Sequence, residues 1–259
     1  FVHPFDDPKV IAGQGTIGLE ILDQMPDVEA VIVPIGGGGL ISGVAFAIKT
    51  LRPEIKVYGV QSSGAPSMAA SLQEGAIQHL NNVSTIADGI AVKEPGVNTF
   101  ELCNRYVDEV VTVSDEEIAA AILALIEQQK LVAEGAGAVS VAAAMFNKVP
   151  IKGKKTVCLI SGGNIDVNTL SRVITRGLSK SGRNYSFIID LDDKPGQLSG
   201  VCNVVAQQGG NVISVAHERI NSSSAINGCT IRMELETRDH DHIKSIREAL
   251  TGAGYKVKN

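Results

Sequence analysis

Ile35-Gly36-Gly37-Gly38-Gly39-Leu40 lies between an apolar run, residues 30–34, and a helical pattern, residues 41–51. Four consecutive glycines between a strand and a helix gather several backbone N–H groups and a helix N-terminus around one small volume, an arrangement that binds phosphate. The plainer alternative is a flexible connection without a ligand. A left-handed turn needs only one glycine, however, and four carry a large entropic cost. A dinucleotide fingerprint, G-x-G-x-x-G, would need glycine where Ile41 or Ser42 stands, and residues 56–60 lead into Gln61 rather than an acidic residue. No Gly-Lys-Ser/Thr follows the glycines, which excludes a P-loop. A cofactor carrying one phosphate remains.

Outward from this loop, apolar strand runs at 30–34, 57–60, 109–113 and 156–160 alternate with helical patterns at 14–25, 41–51, 99–107, 114–130, 134–147 and 166–179. Residues 62–96 read as loops around a short helix at 67–74. Ser114-Asp115-Glu116-Glu117 is a capping box, which opens its helix with two reciprocal hydrogen bonds. Strands that are apolar throughout and alternate with helices predict an α/β fold, a parallel sheet covered on both faces. Ligands of such sheets sit at the carboxyl ends of the strands, where the glycine loop and Ser161-Gly162-Gly163-Asn164 both fall. After a polar linker at 180–183 the pattern changes. A strand at 185–191, a helix at 196–208, a strand at 211–220, a turn at Asn221-Ser222-Ser223-Ser224, an alternating strand at 229–236, a helix at 239–250 and a strand at 255–258 follow. This βαββαβ order is ferredoxin-like, with an antiparallel sheet. The expected domains are therefore 1–179 and 184–259, joined by 180–183.

The 259 residues, 44% of them apolar, suffice for two packed cores. A formal charge of -5, with no basic tract and few aromatics, gives no sign of nucleic-acid or acidic-membrane binding, so small molecules and copies of the chain are the expected partners. Cys103, Cys158, Cys202 and Cys229 are scattered, which suits buried thiols in a reducing cytosol better than a disulfide framework or a metal site. No apolar run approaches the ~20 residues of a membrane span and no signal peptide is visible, so a cytoplasmic location is expected. His3, His79, His240 and His242 read as solvated, and His217, in a strand, as facing either an interface or water. None has zinc-ligand spacing.

Gln14-Gly15-Thr16-Ile17-Gly18, the glycine loop, Ile86-Ala87-Asp88-Gly89 and Ser161-Gly162-Gly163-Asn164 occur in the order and spacing of fold-type II pyridoxal-phosphate enzymes. The chain resembles them over nearly its whole length, and is most similar to their threonine dehydratase (threonine ammonia-lyase) and serine racemase branch. Its C-terminal part resembles an ACT domain, with Asp192-Asp193-Lys194-Pro195-Gly196-Gln197-Leu198 as the first strand-to-helix loop. The resemblance implies pyridoxal 5′-phosphate, its phosphate on the N–H groups of Gly36, Gly37, Gly38 and Gly39. Ser161 would meet the pyridine nitrogen, a neutral hydroxyl where other pyridoxal enzymes place a carboxylate, giving a milder electron sink suited to β-elimination. Gly89 would line the cofactor face and Glu134 would approach the site. Each has a plainer alternative: Ser161 as a helix cap, Gly89 as a turn residue, Glu134 as a charge favoured by the helix dipole. The implied reaction converts L-threonine to 2-oxobutanoate, or L-serine to pyruvate, with release of ammonia. The implied effector contacts are Asp193, Gly196, Gln197, Leu198, Asn211 and Val212, and the implied assembly is a dimer or tetramer with ACT–ACT pairing.

Two departures qualify the resemblance. The family's Schiff-base lysine sits in a Ser-Phe-Lys-like segment N-terminal to everything in this sequence, which starts at Phe1 without methionine. Lys180 falls in the linker and reads as a solvated charge. The expectation is that about the first third of the parent enzyme is absent and that this chain alone is inactive. Second, where serine racemase has a divalent-ion site built from acidic residues, this chain reads Gln61-Ser62-Ser63-Gly64-Ala65, without a carboxylate before Glu74, and no metal is expected. The competing readings are a non-catalytic amino-acid-binding regulatory fragment, a serine racemase or L-serine dehydratase, and a cysteine-forming synthase of the same fold. For the C-terminal domain alone, the alternative is a plain ferredoxin-like pairing module.

Overall fold

The computed structural model describes residues 2–219 and 228–258, so the expected turn at Asn221-Ser222-Ser223-Ser224 lies outside the described residues. The chain forms two compact units, Phe1–Ile174 and Thr175–Asn259. In the first, strands β1 (Ala30–Pro34), β2 (Lys56–Ser62), β3 (Glu109–Val113) and β4 (Thr156–Cys158) make a parallel sheet in the order β3-β2-β1-β4. Successive side chains of a strand point to opposite faces. Ala30 and Ile32 accordingly enter one core with Tyr58, Val60, Ile118 and Val139, while Val31 and Val33 enter another with Val44, Ile48, Val57 and Cys103. Both faces are covered, which is why these strands read as continuous apolar runs rather than alternating ones.

Helices α1 (Pro8–Gln24), α2 (Gly39–Leu51), α3 (Ser67–Glu74) and α4 (Val97–Tyr106) contribute to the second core, and α5 (Asp115–Ala124) and α6 (Gly135–Met145) to the first. The α1–α2 contact is made backbone on backbone: a Cβ on Gly43 would overlap the Ile11 carbonyl, and one on Gly18 would stand 3.0 Å from the Val44 carbonyl. The glycines of Gln14-Gly15-Thr16-Ile17-Gly18 thus serve helix packing.

Several boundaries differ from expectation. Helix α1 starts at Pro8 rather than residue 14, because the Asp7 carboxylate accepts the N–H groups of Lys9 and Val10 at 2.8 and 3.4 Å and proline occupies the first turn. The helix expected to reach residue 130 remains α-helical only to Ala124; Leu125–Gln129 forms a π-turn closed by Lys130 at φ 57°. Strand β4 ends at Cys158, although the Leu159 N–H still reaches the Ile32 carbonyl at 3.0 Å. Helix α7 (Val167–Lys180) spans the division between the units.

The second unit contains β5 (Asn184–Asp192), α8 (Gln197–Gln207), β6 (Asn211–Glu218), β7 (Gly228–Glu236), α9 (His240–Gly252) and β8 (Lys256–Lys258). Its sheet is antiparallel in the order β6-β7-β5-β8, the βαββαβ arrangement expected from the sequence. Alternate residues Phe187, Ile189, Ile231, Met233 and Leu235 meet Val201, Val205, Ile246 and Leu250 in one core. Residues 180–183 are a packed turn of this unit: Gly182 takes φ 71° and its carbonyl accepts from the Thr237 hydroxyl at 2.6 Å. His242 corrects the expectation of a solvated ring. It is 4% exposed, its Nδ1 accepts the Arg238 N–H at 3.1 Å, and its Nε2 therefore carries the proton toward the Gln208 carbonyl at 2.8 Å.

Candidate active site

At the carboxyl end of β1 the chain passes through Ile35 into the glycine loop. Gly38 is the N-cap of α2 at φ 101°, with no side-chain cap. The N–H groups of Gly36, Gly37 and Gly38 meet no acceptor among the described residues. Uncompensated donors at a helix N-terminus are what a phosphate requires, so the loop fits that group. Thr99 holds the loop from behind, its hydroxyl donating to the Gly37 carbonyl at 2.6 Å.

A cavity of about 350 Å³ opens in front of the loop. Small-molecule sites run roughly 300–1,000 Å³, so a compact cofactor is of the right size. Gly36, Gly37, Gly38, Gly39, Gly89, Glu134 and Ser161 all line it, so the structure brings together the whole set expected for the cofactor. Phe5, Ile90 and Val92 line it too, and among the described residues no lysine does. Nothing in the local sequence marked Phe5 or Thr99, which reach the loop through tertiary folding.

Each plainer alternative can be weighed on this geometry. Ser161 does not cap α7; Asp166 does, its Oδ1 accepting the N–H groups of Asn168 and Thr169, each at 3.0 Å. Hydrogen bonds from Thr169 pull the Asp166 carboxyl below its ordinary value. The Ser161 hydroxyl, exposed at the cavity, has no partner among the described residues. Glu134 is the N-cap of α6 by backbone only; its Oε2 accepts the Asn164 N–H at 3.0 Å, and its N–H donates to the Gly162 carbonyl at 3.1 Å. Gly89 has no positive φ, so its turn does not demand glycine. A Cβ there would stand 3.1 Å from that of Ala136 and 3.4 Å from Glu134 Oε1, so glycine keeps the approach to Glu134 open.

The region after β2 is structural. Gln61 and Ser62 are buried, and the Gln61 amide bridges the Ile35 carbonyl at 3.4 Å and the Ala69 N–H at 2.9 Å. Burial pushes the thiol of Cys103 up to about 12 and that of Cys158 to about 11, so neither is a thiolate nucleophile at neutral pH. A larger cavity, about 640 Å³, lies along α1 and α2 against Leu19, Phe46 and Leu51, and lacks convergent charged groups.

In the second unit a cavity of about 400 Å³ is lined by Asp193, Gly196, Gln197 and Leu198, four of the six expected effector residues, with His217, Arg219 and Cys229. Asn211 and Val212 are not among its lining. Strands β5 and β6 are both antiparallel to β7 and so run in the same direction, which puts the end of β6, not its start, beside the β5–α8 loop. Asn211 instead donates to Glu236 Oε2 at 2.7 Å.

The family model for "Pyridoxal-phosphate dependent enzyme" matches residues 1–163. The L-threonine ammonia-lyase of Thermotoga maritima is 55% identical over 258 residues, covering 100% of this chain and 64% of the relative. That of Geobacter sulfurreducens is 50% identical over 257 residues, 99% of this chain and 64% of the relative. The chain thus spans less than two thirds of the length of these relatives. Among solved structures, the processed form of threonine deaminase isoform 2 from Solanum lycopersicum aligns with a TM-score of 0.64 and 43% identity, over 68% of this chain and 52% of that one. Maize serine racemase aligns with a TM-score of 0.61 and 37% identity, over 67% and 56%.

Proposed function

The chain belongs to the family of pyridoxal-phosphate dependent enzymes, and from that premise we propose that the whole protein carrying it is a threonine ammonia-lyase, converting L-threonine to 2-oxobutanoate and ammonia and L-serine to pyruvate and ammonia. The observation that carries the reading is the glycine loop, whose free N–H groups share one cavity with Ser161, Glu134 and Gly89. Pyridoxal 5′-phosphate, when bound, supplies an electron sink that acidifies the Cα proton of an attached amino acid. In this reading the N–H groups of residues 36–39 hold the phosphate. The Ser161 hydroxyl hydrogen-bonds the ring nitrogen without fully charging it. Glu134, fixed by the Asn164 N–H, borders the reacting face, and Phe5, Ile90 and Val92 keep water from one side of it.

In this reading an amine takes the Cα proton, and none lines the cavity among the described residues, so this 259-residue chain alone is expected to be inactive. Assaying 2-oxobutanoate from L-threonine tests both statements. The whole protein with cofactor should turn over, and the isolated chain should not. Product from the isolated chain overturns the need for an outside amine; no product from the whole protein with L-threonine or L-serine overturns the lyase.

We read the second unit as an ACT regulatory domain that binds an amino-acid effector and pairs with a second copy. Its βαββαβ order and the cavity at the 192–198 loop support this. Antiparallel pairing of β6 with its counterpart would bring the Asn211 end of the second copy's strand toward the cavity, giving Asn211 and Val212 a role that one chain alone does not. Calorimetry with isoleucine, valine and threonine tests the sensor, and no heat from any of them sinks it. The protein is expected in the cytoplasm; no described helix is long and apolar enough to cross a membrane.

A further inference from the structure

His217 pairs directly across the β6–β7 ladder with Ile231, so both side chains share a face of the sheet, and Cys229, two residues along β7, shares it too. Asp193 reaches the same place from the β5–α8 loop. The ligand atoms of Asp193, His217 and Cys229 all lie within 4.8 Å of one another, and the three residues line a single cavity. Around a tetrahedral zinc ion, donors at the usual bond lengths are about 3.3–3.8 Å apart, so rotamer adjustments of the exposed Asp193 and His217 suffice to close the set.

We propose that Asp193, His217 and Cys229 form a binding site for a zinc-class divalent cation, with its fourth position open to the cavity for water or a small ligand. A carboxylate oxygen, an imidazole nitrogen and a thiol sulfur are a borderline-soft set, which favours zinc over calcium or magnesium. Arg219 pairs with Asp193 through Oδ2 at 3.1 Å, which leaves Oδ1 for the metal. On binding, the S–H bond breaks, an S–metal bond forms and the proton leaves to solvent. The sequence hid the site because its three residues lie on three elements with no ligand spacing. The site stands apart from the lyase reading and does not rest on it.

The test is cobalt(II) titration of the full chain, followed by zinc competition. The expected result is a near-ultraviolet thiolate-to-cobalt charge-transfer band with strong tetrahedral visible bands, abolished by zinc and by Cys229→Ser, and unchanged in Cys158→Ser. His217→Ala should weaken zinc binding about tenfold or more. Absence of the band at millimolar cobalt, or its survival in a folded Cys229→Ser protein, overturns the site. Should Cys229→Ser fail to fold, the exposed His217→Ala decides: unchanged zinc affinity overturns the proposal, and a loss of about tenfold supports it.

Discussion

A Cβ built on Gly37 would overlap three carbons of the Phe5 ring, and one on Gly39 would stand 2.8 Å from the Phe5 carbonyl oxygen. Gly37 is thus required by the Phe5 ring, Gly39 by the Phe5 backbone beside it, and Gly38 by its left-handed φ of 101°. Phe5 is itself fixed: its N–H and that of Asp6 donate to His3 Nδ1 at 3.4 and 3.0 Å, and the Asp6 carboxylate accepts the N–H groups of Val97 and Thr99 at the start of α4. Gly37→Ala should therefore destabilise the first unit by about 1–3 kcal/mol. Adding Phe5→Ala should recover part of that loss, with a coupling of about 1 kcal/mol in a urea-unfolding double-mutant cycle. Strict additivity would mean that Phe5 is not the reason for the glycine. The tetraglycine run was visible in the sequence as a loop poised for an anion. The reason for particular glycines was not, because Phe5, Asp6 and Thr99 come to the loop across contacts such as the 93-residue separation of Asp6 and Thr99.

The elements of the first unit are fastened by one carboxylate that no local pattern announces. Asp108, just before β3, takes Lys49 of α2 at 2.6 Å, Lys56 of β2 at 2.8 Å and the Val57 N–H at 2.8 Å. Burial alone would raise its pKa, but the hydrogen bonds from Lys49, Lys56 and Val57 outweigh it and leave the carboxyl below its ordinary 3.8. A lowered native value stabilises the fold above the unfolded pKa and loses that contribution as pH falls through the native one. Acid unfolding should thus steepen below 3.8, and Asp108→Asn, less stable at neutral pH, should lose less on acidification. Identical acid slopes for the two proteins, measured by urea midpoints at several pH values, would remove Asp108 from this role. By contrast, the capping box of α5 was legible because its partners are three residues apart: Ser114 Oγ accepts the Glu117 N–H at 3.3 Å, and Glu117 Oε2 accepts the Ser114 N–H at 2.9 Å. Asp7-Pro8, an N-cap followed by proline, carried an equally local signal for the start of α1. The π-turn after α5 carried none, since Glu127, Gln128 and Gln129 are ordinary helix formers.

At the scale of the molecule, the shift from continuous to alternating apolar strands after residue 183 revealed two units in the sequence, but not which edge of the second sheet is available for pairing. One edge, β8, is three residues long and carries Lys256 and Lys258, the latter paired with Asp190, a common protection against strand addition. Among the described residues the other edge, β6, has only β7 beside it and leaves Val212, Ile213 and Val215 at 37%, 50% and 38% exposure. An open edge with apolar side chains is a template for a second strand, and antiparallel pairing of two β6 strands about Ser214 would make one continuous sheet of two copies. Val215→Lys should accordingly lower the sedimenting mass by one step of assembly and leave the secondary structure unchanged by circular dichroism. The first unit supplies the rival surface, with Leu19 and Phe46 exposed to 49% and 47% along the α1–α2 groove, Phe46 set edge-on to Tyr106. If Phe46→Glu dissociates the protein and Val215→Lys does not, the copies associate through that groove and pairing through β6 is wrong. If Val215→Lys alone does so, the open edge of the second sheet is the interface.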